Sequence, residues 1–109
     1  MNKYTELSDF EINKKVAEKL GLAYEVTRYG VVTRMSNKEQ WREFNPCNNP
    51  ADAMPIIIEN KLTLSPRYDS DEWISESIFY HDIYSVNKNP LRAAMEVFLM
   101  IKDAENEKV

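Results

Sequence analysis

The sequence predicts an α+β domain: a small, mostly antiparallel sheet of three to five strands packed with three helices, with an α/β/α sandwich as one form. Three observations carry that expectation. Segments at about 9–20, 50–60 and 90–102 each join a capping signal to an apolar stripe at helical spacing. Short runs rich in β-branched and aromatic residues lie between them, punctuated by polar turns. Finally, 109 residues with 43% apolar and 29% charged side chains and only two glycines describe one globular domain, 1–109. Surface scaling gives such a chain roughly 6,300 Å² folded against about 18,600 Å² unfolded, enough burial for a core without staples.

The first helix is marked at both ends. Ser8 is an N-cap, Glu11 closes a capping box three residues later, and Leu7 with Ile12 occupies the hydrophobic-staple positions. Ile12, Val16 and Leu20, with Ala17 beside them, form one apolar face, and Gly21 supplies the left-handed terminator. Ala23 to Tyr29 then alternates, with Tyr24 and Val26 as the inward side chains. Gly30 interrupts it before Val31-Val32-Thr33-Arg34-Met35. Two strands joined near Tyr29-Gly30, or one long bent strand, both fit. Residues 36–43 are polar around Trp41 and read as a loop or a single helical turn.

Phe44 to Ile58 holds the only cysteine, two Asn-Pro steps and the most apolar run of the chain. Asn49 is suited to the N-cap and Pro50 to the first helical position, where a missing N–H costs nothing. Asp52 falls in the first turn, favoured there by the helix dipole. Ala53, Met54, Ile57 and Ile58 are the expected buried face. Pro55 deletes one intrahelical bond and crowds the Ala51 carbonyl, so a kink or a widened first turn is expected.

Residues 61–64 read as a short strand and 65–72 as a polar loop. Residues 73–77 alternate as a strand, and 78–86 read as further strand, a hairpin if a turn falls at His81-Asp82. Asn89 and Pro90 repeat the helix-starting device, an echo that shared capping chemistry explains without an internal repeat. Leu91, Ala94, Met95, Phe98 and Ile101 make the stripe, widened by Val97, Leu99 and Met100. So broad an apolar surface implies either a central helix buried on several sides or one that also serves a homodimer interface. Residues 103–109 are charged and expected to fray.

Composition removes several function classes. One cysteine forms no internal disulfide framework, and with no signal peptide read at the start, a reducing cytosol is the expected setting. No apolar run nears the roughly 18 residues of a membrane span. Net charge is −4; residues 1–45 hold eight basic and seven acidic side chains, residues 46–109 six and eleven. An acidic C-terminal half argues against nucleic acid as partner, because phosphate neutralisation by basic groups supplies most of that affinity.

No catalytic constellation is recognisable. Cys47 and His81 are a nucleophile and a base in type only, with no orienting third group and no oxyanion element. Asp69, Asp71 and Glu72 resemble half a calcium loop without its glycine or terminal glutamate, and one Cys with one His falls short of zinc ligation. No cofactor or metal is expected, since two glycines build neither a phosphate loop nor a dinucleotide fingerprint. Binding residues, if any, are sought at Asn45, Cys47, Asn48 and Asn49, with Trp73 and Tyr80 among the aromatics Trp41, Tyr68 and Tyr84. The plainer reading makes the asparagines turn formers and the aromatics core or half-buried sheet residues.

The segments LSDFEINKKVAEKLG, FNPCNNPADAMPIIIEN and NPLRAAMEVFLMIK resemble the small phage and prophage proteins of the NinX type. The resemblance runs from Tyr4 to Lys102, apart from 23–43 and 65–72, and the middle motif is its most specific part. More distantly, the order of elements is similar to the phage "ABA sandwich" domain, which implies helices on both faces of a mostly antiparallel sheet. The resemblance implies an accessory protein in the cytoplasm of an infected or lysogenic bacterium. It implies no reaction and no catalytic residues. Two functions are therefore carried forward: a non-enzymatic protein that binds a host or phage protein, as in host modulation or anti-defence, and a small-ligand or nucleotide binder using the 45–49 loop with Trp73.

Overall fold

A computed structural model describes residues 2–107 as three helices and six short strands. Helix α1 (Asp9–Leu20) starts as its sequence dictates. Ser8 accepts from the Glu11 amide while the Glu11 side chain bonds back to the Ser8 amide, and Gly21 closes the helix at φ 73°. Strands β1 (Ala23–Thr27) and β2 (Gly30–Arg34) form a tight hairpin in which Thr27 faces Gly30, whose φ of 140° disfavours any side chain. Strand β3 (Arg42–Phe44) adds to β2, so part of the segment expected as loop is strand.

Helix α2 (Pro50–Glu59) begins at Asn49, whose side chain accepts from the Ala51 amide. It runs through Pro55 unbroken. Ala51 and Pro55 both lie on the exposed side, where water can take the Ala51 carbonyl that Pro55 leaves without a donor. The buried face is Ala53, Ile56 and Ile57, one position round from the expected one; Met54 and Ile58 point outward, Ile58 at 68% exposure. Leu62 makes an isolated bridge to Ser77 where a strand over 61–64 was expected, and β4 (Ser65–Pro66) lies in the expected loop. Strands β5 (Trp73–Glu76) and β6 (Tyr84–Asn87) pair as a hairpin with a turn at 81–82, but residues 78–83, expected as further strand, form the bends and turn that join them. Helix α3 (Pro90–Glu107) continues five residues past its expected end, so the segment expected to fray is helical through Glu107. Residues 108–109 of that expectation lie outside the described residues.

The antiparallel strands form two sheets of three, ordered β1-β2-β3 and β4-β5-β6, where one sheet of three to five was expected. Every pairing is local. After Phe44 the chain turns away through the 45–49 corner into α2, and β4 then pairs with the strand that follows it. Helices on both faces of one sheet are accordingly not what forms: α1 packs on β1 and β2, while α3 packs on β5, β6, α1 and α2. Residues 92–99 of α3 are all buried, including Arg92 and Glu96. The surplus apolar surface that pointed to a dimer through this helix is covered within one chain. Val26, expected inward, is half exposed at the edge of the first sheet.

Candidate functional site

The Asn45–Asn49 corner folds as a structural knot. Asn45 accepts at its carbonyl from the amides of Asn48 (3.0 Å) and Asn49 (2.8 Å), and its own amide donates to Asp52 at 2.9 Å. Asn13 of α1 donates to the Asn45 side chain at 2.8 Å and accepts from the Cys47 amide at 3.1 Å. Asn48 donates to Asp9 at 3.1 Å, and Asn89 donates to the Cys47 carbonyl at 2.6 Å and to Asn48 at 3.2 Å. Asn89 simultaneously caps α3, accepting from the amides of Leu91 and Arg92. These side chains spend their polar groups joining the starts of three helices.

Cys47 lies fully buried inside that knot. Burial first, then the charge of Asp9, pushes its thiol up to about 12, so it is neutral at pH 7. Its polar neighbour is the Asp9 carbonyl at 3.9 Å, whereas His81 sits in an exposed turn of the second sheet.

Beneath the knot lies a cluster that sequence reasoning passed over. Arg92 donates to Glu96 at 2.6 Å, to Asp9 at 2.7 Å, and to the carbonyls of Tyr4 (2.9 Å) and Leu7 (2.7 Å). Burial would lower the Arg92 pKa, but its bonds to Asp9 and Glu96 outweigh that and raise it. Glu96, fully buried, also accepts from Ser85 at 2.5 Å and Asn2 at 2.7 Å. One guanidinium thus ties the N-terminal segment to α1 and α3. The signal for it was an Arg–Glu pair at i,i+4 inside an otherwise apolar stripe. Further along α3, the Tyr4 hydroxyl donates to Asp103, which Lys3 also contacts at 3.2 Å. Burial opposes ionisation of Asp103, and the bonds from Tyr4 and Lys3 overcome it, leaving its pKa below the usual value.

Of the residues singled out from sequence, Asn45, Cys47, Asn48 and Asn49 share the corner, whereas Trp73 and Tyr80 belong to the second sheet and the loop that follows β5. Asn45 and Asn48 border a recess of about 130 Å³ with Phe10 and Gly30, while Asn49 is occupied as a helix cap. Trp73 starts β5, opposite Pro66 and Asn87. Tyr80 lines a separate cleft of about 630 Å³ with Tyr4, Met100 and Asp103. The recess at Asn48 is lined by neither Asn49 nor Trp73, so it does not gather the three residues that the small-ligand reading invoked. Trp41 is taken up by Arg34, which stacks 4.4 Å from its ring centre.

What does stand out is the polarity of the second sheet. Strand alternation gives it an inner face of Ser75, Ser77 and Ser85, all buried, with Trp73 and Asn87 half-buried in the same register, and the sheet packs against α3. The Ser75 hydroxyl has no hydrogen-bond partner among the described residues, so its place there is one of size, letting the helix lie close. The outer face carries Ile74, Val86 and Tyr84, with the charged Glu76 opposite Tyr84, and is continued by Ile78 and Phe79 at the tip. Ile78 is 53% exposed, Phe79 66% and Tyr84 55%. A sheet with one face on a core ordinarily turns its apolar residues inward. Here the alternation is reversed.

A family model described as "Bacteriophage P22, NinX" matches residues 3–102. The chain belongs to that family. The match spans the capping box of α1, the asparagine corner, both sheets and α3 as far as Lys102. No curated protein matches the chain. Membership in the NinX family supplies a phage context and no reaction. Among the described residues, no helix is long and apolar enough to cross a membrane, and no three His, Cys, Asp or Glu side chains are grouped to hold a metal ion.

Proposed function

We propose that this NinX-family protein is a non-enzymatic accessory protein that binds a host or phage protein in the cytoplasm of the infected or lysogenic bacterium. The outer face of the second sheet is the docking surface. The observation that carries this reading is the alternation of β5 and β6: serines fill the buried face while Ile78, Phe79 and Tyr84 are exposed, with Ile74 and Val86 half-buried beside them. Leaving aromatic and branched side chains in water forgoes roughly 1.5–3 kcal/mol for each one that could be fully buried, and a contiguous group of them marks a surface that another molecule covers. Cys47, buried within the knot, is not placed to act as a nucleophile. Protein is favoured over nucleic acid because Glu76 lies on the face itself and Glu72 and Asp82 are close to it in the chain.

The test is affinity capture from phage-infected cells with wild type and with Ile78→Asp/Tyr84→Asp, both shown to be folded. Wild type retains a stoichiometric protein and the face variant loses it, while Tyr29→Ser on the first sheet has no effect. Equal retention by the face variant, or no stoichiometric protein in either sample, refutes the reading.

A further inference from the structure

We propose that two copies of this chain join edge to edge through β6, making one continuous six-stranded sheet about a twofold axis. The four outer strands of the two sheets are β1, β3, β4 and β6. Exposed edges are normally protected against pairing by charge, proline or brevity. Strand β1 carries Glu25, β3 is three residues long with Arg42 and Glu43, and β4 is two residues long with Pro66. Strand β6, Tyr84-Ser85-Val86-Asn87, has no charge, proline or glycine. Among these four strands it alone lacks a protecting residue of its own, and the N-terminal segment at Asn2 and Thr5 stands across a cleft from it.

The backbone of that edge is oriented for a partner. The Ser77 amide donates to the Ile83 carbonyl at 3.1 Å, and on the far side of β5 the Thr63 amide donates to the Glu76 carbonyl at 3.0 Å. Odd-numbered residues of β5 therefore bond toward β6, and by antiparallel alternation Ser85 and Asn87 bond back. The amides and carbonyls of Tyr84 and Val86 point outward. Among the described residues none of them has a hydrogen-bond partner. They open on a cleft of about 400 Å³ whose other wall includes Asn2, Thr5 and Met100.

Charge decides the occupant. An antiparallel pair centred on Ser85 against Ser85 of the second copy sets Tyr84 against Val86, both with outward groups, so each pair exchanges two backbone bonds. Beyond the strand, where Asp82 lies in the turn before it and Lys88 in the bend after it, the same register brings Asp82 toward Lys88 of the second copy, once at each end of the twofold. Both are exposed, and the present contact of Lys88 with Asp71, 3.7 Å and open to solvent, is easily given up. Registers centred on Tyr84 or Val86 lack this match. Directly opposite residues share a face, so the two outer faces would merge into one apolar surface twice the size. The proposal thus extends the docking reading above, but it is tested without any partner, so either can fail alone.

The test is the mass of the purified full-length protein by sedimentation equilibrium, from micromolar to about 0.5 mM, since so short an edge makes a modest interface. Wild type is expected to reach twice the mass of one chain. Val86→Pro removes only an outward amide, keeps its intrachain bonds, and should weaken dimerisation at least about tenfold with unchanged circular dichroism. Lys88→Glu should weaken it by about the same factor, and Asp82→Lys/Lys88→Asp, which inverts the pair, should restore it to within about threefold. A wild type that stays monomeric throughout overturns the proposal. So does a dimer that Val86→Pro leaves intact, or charge variants that the double exchange does not rescue.

Discussion

Replacing Arg92 by methionine tests how the N-terminal segment is held. Arg92 is 6% exposed and Glu96 is fully buried, so the substitution leaves a carboxylate without its cation in the interior. Breaking a buried pair from one side costs about 3–5 kcal/mol. The Asp9 contact adds little, because that side chain is 44% exposed and water replaces the partner. The carbonyls of Tyr4 and Leu7 also lose their donor, at about 1 kcal/mol or more each where water does not reach them. A domain of this length has roughly 5–15 kcal/mol in all, so Arg92→Met should bring it to the edge of unfolding at 37 °C. Arg92→Met/Glu96→Leu should recover much of the loss, because the stranded charge goes with its partner. Urea unfolding followed by tryptophan fluorescence and circular dichroism reads all three. A loss below about 1 kcal/mol for Arg92→Met, or a double variant as unstable as the sum of the singles, would refute the cluster as the clamp described.

Other expectations follow from the same geometry. Asn89→Ala removes the α3 cap and the donor to the Cys47 carbonyl, and should cost about 1–2 kcal/mol in the same urea assay. Cys47 should resist iodoacetamide at pH 8, reacting about a thousandfold faster once the protein is unfolded, since its thiol pKa falls back from about 12. Equal rates would contradict its burial. Because the Asp103 pKa is lowered in the folded state, it contributes stability above the unfolded carboxyl value and loses it as pH falls through the folded one. Asp103→Asn should therefore be less stable than wild type near neutrality, with the difference closing in acid. Tyr4 has the opposite sign: burial and its bond to Asp103 raise its pKa, so its contribution holds below the ordinary phenol range and fades above it. Tyr4→Phe should flatten the alkaline side of the stability profile.

The helices were legible because their ends are written locally. Ser8 with Glu11, Asn49 with Pro50, and Asn89 with Pro90 start helices through contacts within three residues. The turn of α2 onto Ile56 rather than Ile58 was not legible, because neighbouring isoleucines fit either face and the packing of α2 on α3 decides. Division of the strands into two sheets was hidden too, since alternation reports faces and not which strands meet. Among the site residues, Asn45, Asn48 and Asn49 were visible as a cluster, but their engagement by Asn13, Asp9 and Asn89 depends on tertiary approach. The reversed sheet was present in the sequence as Ser75, Ser77 and Ser85 against Ile74, Ile78, Tyr84 and Val86. An alternating strand, however, does not say which of its faces is inside.

The docking surface is tested most directly by hydrogen–deuterium exchange on the captured complex, comparing bound and free protein at each segment. Binding through the outer face predicts slower exchange in residues 74–86 with little change in β1, β2 and α2. Protection confined to the first sheet or to the asparagine corner, with 74–86 unaltered, would contradict the account.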